Sequence, residues 1–173
     1  MSKMRIAVIG TLALALLGMP PVTATAAEDK VSNDFTKDMG KWKLDKAEGK
    51  TGEDGLKITK VEKFGGIGIE TGTHDLSDAT AITIELKNAG DKELAMTFRI
   101  RSKDSKADDE FKVAAGKSVT HTFKLAGREV DLKKITLLRL YAADAGETNL
   151  IVKKITVVKA ETASKPASEP AAK

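Results

Sequence analysis

Beyond residue 80 the chain alternates. Thr83 and Glu85 separate Ile82, Ile84 and Leu86, while Ala95, Thr97 and Arg99 separate Leu94, Met96, Phe98 and Ile100. Thr120, Thr122 and Lys124 separate Val119, His121, Phe123 and Leu125 in the same way. A period of two sends successive side chains to opposite faces, so each run predicts a strand with one dry and one wet face. Shorter runs at 56–61, 67–69 and 111–113 add further strands. Residues 135–141 and 150–158 are more continuously apolar, which predicts deeper burial. Asn88-Ala89-Gly90-Asp91 and Ala114-Ala115-Gly116-Lys117 read as tight hairpin turns with glycine supplying the positive φ, and 102–109 as a longer polar hairpin tip. Apart from a helical turn expected within 31–39, nothing reads as a helix in the body of the chain. About nine strands at near-regular spacing predict an all-β fold, an antiparallel β-sandwich or jelly roll.

The two ends follow different rules. Lys3 and Arg5 precede an apolar run over 6–17, Pro20-Pro21 breaks it, and small residues follow to Ala27. This is the three-part pattern of a secretory signal peptide, assigned to residues 1–27. The apolar run falls short of the ~20 residues a bilayer span needs, so no stable membrane insertion is expected after cleavage. Residues 160–173, AETASKPASEPAAK, are too poor in apolar groups to offset ordering entropy and read as a disordered tail. Residues 28–159 are left as one domain.

Charge and cysteine content narrow the setting. The formal net charge is +4, and cleavage of Lys3 and Arg5 would remove two of those charges. Lysines and acids are interleaved, with no basic stripe bearing aromatics, so nucleic acid is not an expected partner. The chain has no cysteine. An exported protein held by packing alone, without disulfides, fits the bacterial periplasm or a secreted bacterial product. A monomer is expected.

The order of motifs resembles a galactose-binding-like β-sandwich. It is carried by Phe35 and Trp42 near the start, GEDGLKITKVEKFGGIGIE, DLSDATAITIELKNAGD, FRIRSKD, DLKKITLLRLY and NLIVKKITVV at the end. The pattern is similar to carbohydrate-binding modules of agarases and β-glucanases and to complex I intermediate-associated-protein-like domains. The resemblance implies a jelly roll whose ligand lies on the concave face of one sheet or in the rim loops. It also implies, in many members, a structural calcium. The chain departs from sugar-binding members in being poor in Trp and Tyr, having one of each.

Candidate chemistry is sparse. Glu85, Arg99, Arg101, Arg139 and Tyr141 fall on wet strand positions, where they could bind sugar hydroxyls or a uronic-acid carboxylate; otherwise they form a solvated face with cross-strand ion pairs. Trp42 is a further ligand candidate, yet it shares an extended face with Leu44, which favours a core role. Asp104, Asp108, Asp109 and Glu110 on the expected hairpin tip are the calcium candidates, with a solvated acidic turn as the plainer account. His74 and His121 lack zinc-ligand spacing. The glycines of FGGIGIETG are not followed by a helix and make no dinucleotide fingerprint. No GxSxG elbow occurs.

These features favour an exported, non-catalytic module that binds a glycan through a polar sheet face or rim loops, with no cofactor beyond a structural calcium. The alternative is an envelope structural or protein-interaction domain on the same scaffold. A small secreted glycoside hydrolase ranks third. Exposure of Trp42, Tyr141 and Arg99 separates the first two: buried aromatics and acid-paired arginines weigh against the glycan.

Overall fold

A computed structural model describes residues 31–70 and 72–160. The expected signal peptide lies outside the described residues, as does all but the first residue of the expected tail. Nine strands account for most of the fold: β1 (Asn33–Asp34), β2 (Lys43–Gly52), β3 (Gly55–Ile69), β4 (Ala79–Asn88), β5 (Leu94–Arg101), β6 (Lys106–Val113), β7 (Ser118–Lys124), β8 (Leu137–Ala142) and β9 (Gly146–Lys159). One 3-10 turn, Leu132–Lys134, precedes β8 and is capped by the Asp131 side chain. No helix among the described residues is long and apolar enough to cross a membrane.

The strands form an all-β antiparallel sandwich in which β3 belongs to both layers. Its first half pairs with β9 and its second half with β8. One layer therefore runs β7-β4-β9-β3 and the other β6-β5-β8-β3, with β2 alongside β3 at the shared edge. The corner is made by a bulge. Asp45 pairs with Gly66 and Ala47 with Val61, so residues 62–65 are pushed out of the ladder. Lys46 and Phe64 take positive φ there, 51° and 62°.

Between the layers lies a dry core of Ile, Leu and Val closed by four large rings, Phe35, Trp42, Phe98 and Phe123. Phe98 of β5 and Phe123 of β7 meet edge to face at 5.2 Å, which joins the two layers at the centre. Burial of β8 and the middle of β9 agrees with their continuous apolar sequence.

Local expectations need three corrections. Residues 31–39 form no helix: Asn33–Asp34 pairs with β9, and a single hydrogen-bonded turn from Asp34 to Lys37 follows it. Neither 88–91 nor 114–117 closes a hairpin, because each connects strands of opposite layers. Gly116 does have positive φ, 68°, but Gly90 does not. The Asn88 side chain shapes that first crossover instead, donating to the Lys92 and Val113 carbonyls and accepting from Gly90 N–H. The β5–β6 tip is also shorter than expected, since β6 already begins at Lys106.

Candidate functional site

Register decides which wet positions meet. On the β6-β5-β8-β3 layer, Lys43, Gly68, Arg139, Arg99 and Asp108 are successive cross-strand partners. The neighbouring row is Asp45, Gly66, Tyr141, Thr97 and Glu110, and on the other side Leu137, Arg101 and Lys106 align. The intervening rows, Leu44-Ile67-Leu140-Phe98 and Ile69-Leu138-Ile100, face the core. All of the first residues therefore share one outward face.

This face is layered. Tyr141 is only 7% exposed, and Thr97 and Leu137 are buried, although all three point away from the core. The guanidinium carbons of Arg99 and Arg139 lie 5.4 and 5.6 Å from the Tyr141 ring centre, which cation–π attraction favours. Arg99 grips Asp108 with Nε and Nη2 at 2.6 and 2.7 Å. This bidentate bond holds the Asp108 carboxyl below its ordinary range and the guanidinium above its own, against the opposing cost of burial. Arg139 pairs through Nη2 with Asp45 and donates to the Phe64 carbonyl at 2.8 Å. Two buried glycines let the strands of this face approach closely. A Cβ at Gly66 would collide with the Leu140 carbonyl, and one at Gly68 would crowd the Leu138 carbonyl at 3.0 Å.

Phe64 stands at the rim of this face. It is 51% exposed, and its ring meets Tyr141 edge to face at 6.0 Å. Lys63 Nζ lies 5.3 Å from its ring centre. A hollow of about 540 Å³ opens beside it, lined by Phe64, Thr97, Glu110, Phe111 and Tyr141 among others. A second hollow of about 220 Å³ lies across Arg139, against Lys43, Asp45, Gly68 and Glu70. A larger one, about 610 Å³, is lined by Lys60, Asn88, Asp91 and Asn149 among others and has no aromatic wall. The left-handed backbone at Phe64 costs a non-glycine residue roughly 1–2 kcal/mol and is held by the Arg139–Phe64 bond.

The structure thus brings together Arg99, Arg101, Arg139 and Tyr141. It does not bring Glu85, which lies on the opposite outward face between Thr120 and Lys154. Alternation cannot tell those faces apart, since both are simply wet. Trp42 also leaves the list. It is 2% exposed, donates its indole N–H to the Val31 carbonyl at 2.9 Å and meets Phe35 edge to face. No ligand reaches a ring so placed. Phe64 was missed; the signal was its place in KFGG, where an aromatic followed by two glycines breaks the alternation.

The four calcium candidates do not converge. Asp104 stays in the tip, while Asp108 and Glu110 face outward from β6 and Asp109 faces inward, as alternation requires. Asp108 is committed to Arg99, and Asp109 lies 3.3 Å from His121 and 3.5 Å from Arg128. Among the described residues no group of three or more His, Cys, Asp or Glu is placed to hold a metal.

No family model matches the chain, and no curated protein matches it. Solved structures do. An agarase, AgWH50C, superposes with a TM-score of 0.59 at 13% identity over 75% of this chain, which spans 25% of the agarase. The CBM22-1 xylan-binding domain of Paenibacillus barcinonensis Xyn10C gives 0.52 at 18% identity, covering 75% of this chain and 94% of that one. The family 11 carbohydrate-binding module of Clostridium thermocellum, solved with a β-1,3-1,4-mixed-linked tetrasaccharide, gives 0.50 at 14%, covering 75% and 95%. At these identities the likeness is one of fold, the galactose-binding-like β-sandwich. The chain spans about a quarter of the agarases and nearly all of the binding modules.

Proposed function

We propose that this protein is an exported, non-catalytic module that binds a glycan on the outward face of β3, β8, β5 and β6. The carrying observation is Phe64: an exposed ring raised beside Tyr141, above a hollow floored by strands. An apolar ring wall with convergent hydrogen-bonding groups is what a sugar requires, because its faces are partly apolar and its rim is all hydroxyls. Thr97, Glu110 and Lys112 supply polar groups at the hollow, and Arg99 and Arg139 continue them along the same face. The near-complete overlap with two binding modules supports the reading at the level of scaffold. The apolar run at 6–17 supports export.

The test is titration calorimetry with neutral and acidic polysaccharides on wild type and Phe64→Gly. Binding should be weak in the wild type, as expected of a single shallow face, and fall about tenfold, or ~1.4 kcal/mol, in the variant. Equal affinity in both proteins would remove Phe64 and this face from the account.

A second reading draws on the pairing of both arginines with acids and the burial of Trp42 and Tyr141. A face whose two central arginines are already paired suits a protein partner, with Phe64 as the apolar anchor. Failure to bind any glycan, with retained capture of an envelope protein that Phe64→Gly abolishes, would favour it.

A further inference from the structure

We infer that the ligand of this face is an anionic glycan, one carrying carboxylate or sulfate groups; the inference rests on the glycan reading above and narrows it. The argument starts from like charges placed side by side. Arg99 and Arg139 are direct cross-strand partners, and so are Arg101 and Lys106 one row away. Adjacent strands lie about 4.8 Å apart, and like charges directly opposite repel. The carboxylates of the face do not sit between the paired cations. Asp108 lies beyond Arg99 on β6, and Asp45 lies beyond Arg139 on β2. Arg99 spends Nε and Nη2 on Asp108, which leaves Nη1. Arg139 Nε is buried without a hydrogen-bond partner. Arg101 and Lys106 are exposed and enter none of the ion pairs of the described residues.

Such an arrangement is relieved by an anion that bridges the guanidinium groups. Arg presents a planar fork that matches carboxylate and sulfate oxygens, and the Tyr141 ring holds both forks in place. The opposite outward face carries Lys87, Lys124 and Lys154 beside Glu85, but as separate lysines on β4, β7 and β9 and not as paired guanidinium forks. The adjacent guanidinium groups stacked on one ring are local to the face that also bears Phe64. On a polymer, successive acidic groups would fall to the Arg139–Arg99 pair and to Arg101–Lys106, while Phe64 takes the apolar face of a ring.

Affinity electrophoresis and calorimetry with polygalacturonate, dextran sulfate and neutral xylan separate the outcomes. The acidic polymers should bind at least about tenfold more tightly than xylan and lose that margin as salt approaches 1 M, where the screening length is about 3 Å. Preference between polygalacturonate and dextran sulfate identifies carboxylate or sulfate as the group read. Arg101→Gln/Lys106→Gln should lower acidic-polymer affinity about tenfold, whereas Lys87→Gln/Lys154→Gln on the opposite face should leave it unchanged. All four positions lie on strand surfaces, and a thermal melt checks each variant's fold. Xylan binding as tightly as the acidic polymers, or equal losses from both lysine- and arginine-bearing faces, overturns the anionic inference while leaving glycan binding intact. Binding of none of the three polymers overturns both.

Discussion

On the β7-β4-β9 layer the outward positions are Thr83, Glu85, Thr120, Lys154 and Thr156; on the β6-β5-β8-β3 layer they are Arg99, Arg101, Arg139, Tyr141 and two glycines. Both sets obey the same period of two. The first is a solvated sheet of threonines with Glu85 among Lys87, Lys124 and Lys154. The second stacks guanidinium groups on a phenol, places buried glycines at 66 and 68 where strands approach closely, and raises Phe64 from a bulge. The difference shows what alternation buys and where it stops: it keeps a sheet soluble on one side, and further chemistry on that side has to be built by register, stacking and bulges.

Variants that strike the shared core should not discriminate between the faces. Trp42→Ala removes a buried indole and its bond to Val31, and should cost about 3–5 kcal/mol in urea unfolding without selective loss of ligand affinity in the protein that remains folded. Tyr141→Ala strikes one face only. It removes the ring under both arginines and beside Phe64, so affinity should fall by well over tenfold, with a stability loss of about 2 kcal/mol, read by calorimetry and urea titration. Phe64→Gly should separate the two quantities: affinity falls about tenfold, while stability holds or rises by up to ~1 kcal/mol as the left-handed position loses its Cβ.

The open seam between β6 and β7 gives a pH signature that neither face shares. His121 stacks on Phe111 at 3.9 Å and touches Asp109, which Arg128 also contacts. Burial pushes the His121 imidazole below its usual 6.5, with Asp109 opposing. The unfolded chain then binds more protons than the folded one as pH drops through 6.5, so stability should decline over that interval and recover above it. Urea midpoints measured above and below pH 6.5 should show this decline, and His121→Gln should flatten it. The smallest effect belongs to the opposite face, where Glu85→Ala should change stability by no more than about 0.5 kcal/mol and leave calorimetric affinity unaltered.

Much of the architecture was legible in sequence because a period of two is a local property. The runs around Ile82, Phe98 and Phe123 became strands β4, β5 and β7 with the expected residues inward. The pairing of strands was not legible. Glu85 and Arg99 occupy equivalent wet positions, and only the crossover at 88–91 sends them to opposite layers. Asp108, Asp109 and Glu110 looked like a loop cluster because three acids in a row suit a turn; in β6 they are drawn into pairing by Arg99 and by hydrogen bonds to β5. Trp42 followed Leu44 inward, as their shared spacing suggests. Phe64 escaped notice because its exposure depends on a four-residue bulge that two glycines permit and an arginine 75 residues away secures.

The central claim is that one outward face, not the other, is the binding surface. Backbone amide shift mapping of the labelled protein, titrated with polygalacturonate oligomers, tests it most directly. Shifts should concentrate at Phe64, Gly66, Gly68, Thr97, Arg99, Arg139 and Tyr141 and leave Thr83, Glu85, Thr120 and Thr156 unmoved. Shifts concentrated on the second set, or spread equally over both, would contradict the account.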